Sequence, residues 1–476
     1  MTAATTVIDD LLPALLATPD DAAFVSVRRT RTTCVTRGEL ADRALAVAGL
    51  LHARGLDAGD TVALAVRPGP AALAVVLACL RLRLRVALVD PAVPADLLTA
   101  RLHAAAARLV VADPVVRAAA GWAAPLARRA GLRLAPLDAI APVLVLPRRL
   151  PSRSSPDRSS DEAAEALVVF TSGTTGDPRA VVHTTASISA GLGAVTGLTE
   201  VRGGRPVVAG TFFAMAPALL AGAPVATRAR RREVEALRPQ LTYVTPPQAR
   251  DLLDDGTRLT GRVFAGSAPV SARLLTRLRD AGAEEAWGVY ALTEAFPVAA
   301  VEARTKAAHG GDGGPAGDLV GDLVPGMTAR TDADGQVLVA GAGTAARYLG
   351  GPPLAEVATG DRGTVSGRRV VLHGRLKDMV LRGAENIYPG LHEPSLQVPG
   401  VALAVLVGVP GDDLDERLVL VVETEPGAAA HDVRRRLRAP LAAMGPAAPD
   451  EVVFAPVPTS GRSRKPDRAA AARMLT

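Results

Sequence analysis

The chain has 476 residues, enough at about 150 per domain for two to four domains and a substantial buried core. Hydrophobic residues make up 49% and charged residues 21%, which excludes a mostly disordered or collagen-like chain. The net charge of +6 comes from arginines spread along the chain, and aromatics are only 3%, so no basic stripe with interleaved stacking residues marks a nucleic-acid surface.

The opening residues, Met1 to Asp10, carry acids where a signal peptide would carry bases. Thr36-Arg-Gly-Glu39 has the spacing of a capping box and predicts a helix running towards Leu51. Thr61–Val66 reads as a buried strand, residues 70–83 as a helix and Val86–Val89 as the next strand. The longest apolar stretch, Ala71–Leu80, stops at Arg81 and is too short to span a bilayer, so it predicts a core helix and no membrane span. Pro91 and Pro94 precede another helix, and Leu109–Ala112 is a further strand. Strands alternating with helices predict parallel sheets of the α/β class. Two cysteines, Cys34 and Cys79, cannot build a disulfide framework, and the seven histidines show no zinc spacing, which fits a reducing cytoplasm.

Residues 150–163 form a polar loop, and a glycine-rich one spans His309–Asp318. Between them stands the string Leu167–Thr184. An apolar strand enters a loop of small hydroxylated residues and glycines, Thr171-Ser-Gly-Thr-Thr-Gly176, with Arg179 beyond it and a helix from about Thr184. Glycines let backbone amides approach an anion, hydroxyls add donors, and Arg179 adds a permanent charge. The loop suits phosphates, although the Walker A spacing is missing. An ordinary polar strand-to-helix turn would carry the same residues, and the loop alone does not separate the two. After Arg375 the pattern restarts, with strands near Val401–Val409 and Leu418–Glu423 and a basic helix from His431, which predicts a smaller C-terminal unit.

The Thr171–Val181 loop resembles the signature T-S-G-[ST]-T-G-x-P-K-G-V of the adenylate-forming superfamily, which includes acyl-CoA synthetases, luciferases and peptide-synthetase adenylation domains. Arg179 stands in place of its lysine and Ala180 in place of a glycine. The resemblance continues in order. Gly266, Ser267 and Ala268 look like the segment that lines the adenine pocket. Gly288–Glu294 looks like Y-G-x-T-E. It implies an adenine contact for Tyr290 and its neighbour Ala291, an α-phosphate contact for Thr293 and a magnesium ligand in Glu294. Ala358–Asp361 resembles T-G-D, whose aspartate binds ribose hydroxyls, and a carboxylate suits a vicinal diol because it accepts two hydrogen bonds. Gly374–Asp378 resembles the hinge motif, with Arg375 towards the ribose and Lys377 at the pivot. Gly383 and Ala384 fall where the family borders its pantetheine tunnel. Leu391-His-Glu-Pro394 departs from the usual E-I-E.

Pro458–Arg468 resembles the segment carrying the catalytic lysine. Arg462 fits one register and Lys465 the other; Lys465 is favoured because the chain holds only three lysines, with Lys306 and Lys377. The resemblance implies an α/β fold, with a large adenylation domain over 1–376 built of layered sheets and a small mobile α+β domain over 377–476. It implies ATP, Mg²⁺ and CoA, and a reaction in which a carboxylic acid becomes an acyl-AMP and then passes to CoA. Phe212, Phe213 and Met215 suggest an apolar acid pocket with no acid to pair an α-ammonium, although core packing explains them equally well. Other readings are a β-lactone synthetase acting on a β-hydroxy acid, an acyl-AMP ligase loading a carrier-protein thiol, and a non-catalytic binding homologue.

Overall fold

The computed structural model describes residues 7–28, 31–89, 95–112, 142–146, 161–170, 180–309, 317–382, 385–410, 416–460 and 464–476. The fold is mixed α/β, with a larger N-terminal and a smaller C-terminal domain. Packing groups the chain into two units. One comprises Met1–Tyr243, Thr293–Phe296 and Ala340–Val357; the other comprises Val244–Leu292, Pro297–Val339 and Ala358–Thr476.

The first unit holds a seven-stranded sheet. Its parallel part runs Glu165–Phe170, Arg85–Leu88, Thr61–Ala65, Ala107–Ala112 and Val143–Val145. The connecting helix Pro70–Arg81 has proline in its first turn, where a missing N–H costs nothing, and buries Leu73, Ala74, Val75, Leu77 and Cys79. It packs on the helix Arg37–His52. That helix opens with the expected capping box: Thr36 Oγ1 accepts from the Glu39 N–H, and Glu39 Oε2 accepts from the Thr36 N–H. Cys34 is exposed, whereas burial pushes the Cys79 thiol upward and keeps it an inert core residue.

The helix expected from about Thr184 begins at Thr185, but a strand that the sequence did not announce comes before it. Ala180–Thr184 is a strand antiparallel to Glu165–Phe170, with Phe170 opposite Ala180. Val181 and Val182 are β-branched and fully buried, and burial on both faces favours a strand there. The helix begins at Thr185, capped by Thr184 and Ser187. Arg347–Tyr348 then pairs with Ala180–Thr184 at the sheet's edge.

In the second unit, Arg262–Ala265 and Glu285–Tyr290 are parallel neighbours, and Ala299–Glu302 and Asp318–Leu323 continue the sheet antiparallel. Gly321 sits at a bulge with φ +108°, and a Cβ there would meet the Ala300 carbonyl oxygen at 1.9 Å. Gly321→Ala is expected to destabilise by about 3 kcal/mol or more, from backbone strain plus overpacking. A denaturant titration in which the variant's midpoint equals that of the parent would show that the bulge can yield.

Near the C-terminus, Val401–Pro410, Glu416–Thr424 and Glu451–Phe454 form a three-stranded sheet. Its two faces are both dry. Leu406, Leu418, Leu420 and Val422 pack with Val433 and Leu437 of the helix Ala430–Ala443. Val405, Val407, Val419 and Val421 pack with Ala471 of the helix Arg468–Arg473. Burial on both sides explains why these strands read as continuous apolar runs. Among the described residues no helix is long and apolar enough to cross a membrane.

Candidate active site

The second unit gathers a compact ionic cluster. Strand Val357–Ser366 lies beside Arg369–Arg375 with Asp361 opposite Arg375, and Arg375 Nε donates to Asp361 Oδ1 at 2.8 Å. Tyr290, the last residue of its strand and 71 positions away in sequence, donates its hydroxyl to Asp361 Oδ2 at 2.7 Å. The Asp361 side chain is only 7% exposed. Its backbone is fixed as well, because Thr359 Oγ1 accepts from the Asp361 N–H at 3.0 Å and donates to the Val337 carbonyl at 2.8 Å. Burial, and then the Asp361 charge, push the Tyr290 hydroxyl well above its ordinary pKa, so the phenol keeps its proton. For Arg375, burial pulls downward, but Asp361, Asp378 and Tyr290 together hold its pKa above the ordinary arginine value.

Lys465 stands in a short hairpin, Thr459–Ser460 against Lys465–Pro466, with Ser460 opposite it. Its amine is held below the ordinary lysine pKa, first by desolvation and then by the charges of Arg375 and Lys377, while Asp361 acts the other way. The residue as a whole stays exposed to solvent. Beside it, Arg464 lies in the left-handed region at φ 48° and pairs with Asp251 at 2.6 Å. Gly266, Ser267 and Ala268 follow the C-terminal end of Arg262–Ala265, the end at which parallel sheets bind ligands. Gly266 donates its N–H to the Val244 carbonyl, and Ser267 holds a strained φ of 69°. Lys377 lies in the turn Leu376–Asp378.

The first unit holds the other half of the candidates on the segment Thr293–Phe296. The Thr293 carbonyl accepts from His183 Nε2 at 2.8 Å, and His183 Nδ1 lies 3.1 Å from Ser187 Oγ. A carbonyl can only accept, so Nε2 carries the proton. Burial holds His183 below its ordinary pKa, against the Thr293 carbonyl and the Glu294 charge, which favours the neutral ring. The Glu294 carbonyl accepts from the Ala345 N–H at 2.7 Å, and Tyr348 donates its hydroxyl to Glu294 Oε1 at 3.1 Å. The carboxylate is thereby aimed while lone pairs remain for a cation.

Phe296 lies against Phe213, with ring centroids 4.0 Å apart, and Phe212 meets Phe213 edge-on at 5.9 Å. Met215, in the helix Phe212–Leu220 that also carries Phe212 and Phe213, is buried. Gly191 lets its helix approach this segment, since a Cβ would fall 2.7 Å from the Phe296 carbonyl oxygen. Ala291 directly follows the strand Glu285–Tyr290 and is half-buried.

The structure thus brings Tyr290, Asp361, Arg375 and Lys465 together in one unit, and Thr293, Glu294, Phe212, Phe213 and Met215 together in the other. Thr171, Ser172, Gly173, Thr174, Thr175, Gly176, Arg179, Gly383, Ala384 and Arg462 lie outside the described residues. Sequence reasoning did not single out His183, Tyr348 or Phe296. His183 does sit in the quoted loop string, but its partner is 110 residues away.

No group of three or more potential metal ligands occurs among the described residues. A single carboxylate such as Glu294 still fits Mg²⁺, which keeps several waters and is usually completed by substrate phosphates.

The family profile described as AMP-binding enzyme matches residues 14–349. A feruloyl-CoA synthase of Amycolatopsis sp is 28% identical over 436 residues, 79% of this chain and 81% of that protein. A 3-[(3aS,4S,7aS)-7a-methyl-1,5-dioxo-octahydro-1H-inden-4-yl]propanoyl:CoA ligase of Rhodococcus jostii is 34% identical over 117 residues, 22% of this chain and 23% of that one. Among solved structures, an E. coli MenE variant with bound OSB-AMS superposes with a TM-score of 0.78 at 20% identity, covering 100% of this chain and 99% of that one.

Proposed function

The chain belongs to the AMP-binding enzyme family, and from that premise we propose that it is an ATP-dependent, AMP-forming acid–CoA ligase. The observation that carries the nucleotide half of this reading is Asp361. Each of its oxygens already accepts one protein hydrogen bond, from Tyr290 and from Arg375, which aims the carboxylate and leaves a further lone pair on each oxygen for a ribose diol. The CoA half is supported by the likeness to the feruloyl-CoA synthase over most of both chains.

A carboxylate is a poor electrophile. Its oxygen attacks the α-phosphorus of ATP, the bond to the pyrophosphate breaks, and a mixed anhydride forms. Negative charge gathers at the attacked phosphorus and on the leaving group, so the site needs fixed positive charge and donors there. Lys465 serves the first demand. The loop Thr171–Arg179 serves the second. Thr293 orients the α-phosphate, and Glu294 would hold Mg²⁺, which supplies charge neutralisation across the phosphate oxygens. Gly266–Ala268 and Tyr290 line the adenine. Lys377 is the pivot between the 1–376 and 377–476 parts, and Gly383 and Ala384 border the path of the CoA thiol, which displaces AMP and leaves the acyl thioester. Phe212, Phe213 and Met215, now joined by Phe296, form the apolar wall for an acid without an α-ammonium group.

The test uses the purified full chain with ATP, Mg²⁺ and a panel of aryl, aliphatic, β-hydroxy and α-amino acids. The expected result is pyrophosphate exchange with an acid lacking an α-amino group, and AMP release that rises sharply when CoA is added. AMP release indifferent to CoA with a β-hydroxy acid would replace this reading by lactone closure. Release stimulated only by a phosphopantetheinylated carrier protein would replace CoA as the acceptor. Nucleotide binding without exchange on any acid would leave a binding protein.

A further inference from the structure

Three residues beyond Lys465, Arg468 opens the last helix, and its guanidinium is the centre of a second ionic cluster. Arg468 Nε donates to Asp378 Oδ2 at 3.0 Å, Nη2 donates to Glu393 Oε2 at 2.6 Å, and Nη1 donates to both Glu393 Oε1 and, at 2.9 Å, the Leu406 carbonyl. Glu393 Oε1 also accepts from the Leu406 N–H at 2.8 Å. All three side chains are largely covered, at 24%, 19% and 16% exposure for Arg468, Asp378 and Glu393. The two carboxylates hold the arginine's pKa well above its ordinary value, despite a downward pull from burial. A forked guanidinium can meet two carboxylates and a carbonyl at once, and a lysine in its place could not reproduce that geometry.

The position of this cluster in the chain gives it a meaning. Asp378 ends the turn Leu376–Asp378, which contains Lys377. Between Lys465 and Arg468 there is no slack. Pro466 completes the hairpin strand, the Asp467 N–H donates to the Pro458 carbonyl at 2.8 Å, and Asp467 Oδ1 caps the helix at the Ala470 N–H. We propose that Arg468 is a positioning residue that ties the strand carrying Lys465 to the turn carrying Lys377, so that the two lysines turn as one body. This rests on the reading above, in which Lys465 serves adenylation and Lys377 is the pivot. Without the tie, rotation at the turn would reach Lys465 only through the intervening sheet and its loops.

The chain's three lysines make the test direct. Reductive ¹³C-methylation labels Lys306, Lys377 and Lys465, each assigned by a lysine-to-arginine variant, and NMR follows each through a pH titration. In Arg468→Gln, the Lys465 signal is expected to shift and its midpoint to rise towards that of an ordinary lysine, because the amine leaves Arg375 and Lys377. Lys306, paired with Asp318 elsewhere in the unit, stays put. Asp378→Ala keeps the Glu393 pair and removes the acceptor on the turn, so it gives the same readout should Arg468→Gln fail to fold. An unmoved Lys465 signal in a folded variant of either kind overturns the proposal.

A kinetic arm separates positioning from mere scaffolding. Arg468→Gln should lower the kcat of pyrophosphate exchange about tenfold or more with the KM for ATP held. The same change made in a Lys465→Ala background should then cost nothing further, because a residue that acts through Lys465 has nothing left to position. Full additivity of the two losses also overturns the proposal. If the parent protein exchanges no pyrophosphate with any acid, the ligase reading fails, while the NMR titration still decides the tie.

Discussion

Lys465→Ala is expected to lower ATP–pyrophosphate exchange on the order of 10²–10³-fold, the loss typical when one preorganised donor to a developing charge is removed. The exposed hairpin around Lys465 can lose the side chain without leaving a cavity, so folding should survive. The loss should fall on kcat, since Asp361 and Arg375, which we propose to hold the ribose, are untouched. Lys465→Arg keeps the charge but replaces a compact ammonium by a planar fork, and should recover only part of the rate. The same assay on Arg462→Ala decides between the two registers of the C-terminal segment: the position that matters shows the loss. Undiminished exchange by Lys465→Ala would remove the residue from the adenylation step.

The second large effect is expected from Lys377→Pro. Lys377 is the middle residue of a three-residue helical turn, a place where proline's missing N–H is tolerated. The ring fixes φ at 377 and restricts Leu376 before it. The arrangement described here, with Lys465 in electrostatic reach of Asp361, should therefore persist, and pyrophosphate exchange should be largely kept. A rotation about the turn is what the ring forbids. CoA-dependent AMP release should fall by about two orders of magnitude, as when reacting groups no longer reach their geometry. Equal losses in both half-reactions would show that the turn is not a pivot.

Much of this was legible in the sequence, and the reasons differ from place to place. The helix Arg37–His52 announced itself because its capping box is local, Thr36 and Glu39 being three residues apart. The paired apolar runs 401–409 and 418–423 were legible because burial on both faces leaves no polar interruption. The strand Ala180–Thr184 was missed because five residues between a loop and a helix cap carry too short a pattern, and its pairing with Glu165–Phe170 decides the matter. Tyr290 and Asp361 could be named from motifs, but not their mutual hydrogen bond across 71 residues. Tyr348 belongs to the same class. Nothing around it in sequence signals a partner in Glu294, 54 residues earlier. Arg468 was read only as the end of a motif, because its partners Asp378 and Glu393 lie 90 and 75 positions upstream.

The chain passes between its two packing units five times, and the edge strand Arg347–Tyr348 of the seven-stranded sheet comes late in the order of synthesis. On the ribosome, that sheet must wait, with the Ala180–Thr184 strand unpaired along one side, until residue 348 has emerged. Unpaired strand edges are where nascent chains stick to one another. A truncation ending near Tyr243 would make that transient state permanent, and chaperone demand during expression should fall on this edge rather than on the late, self-contained sheet that begins at Val401.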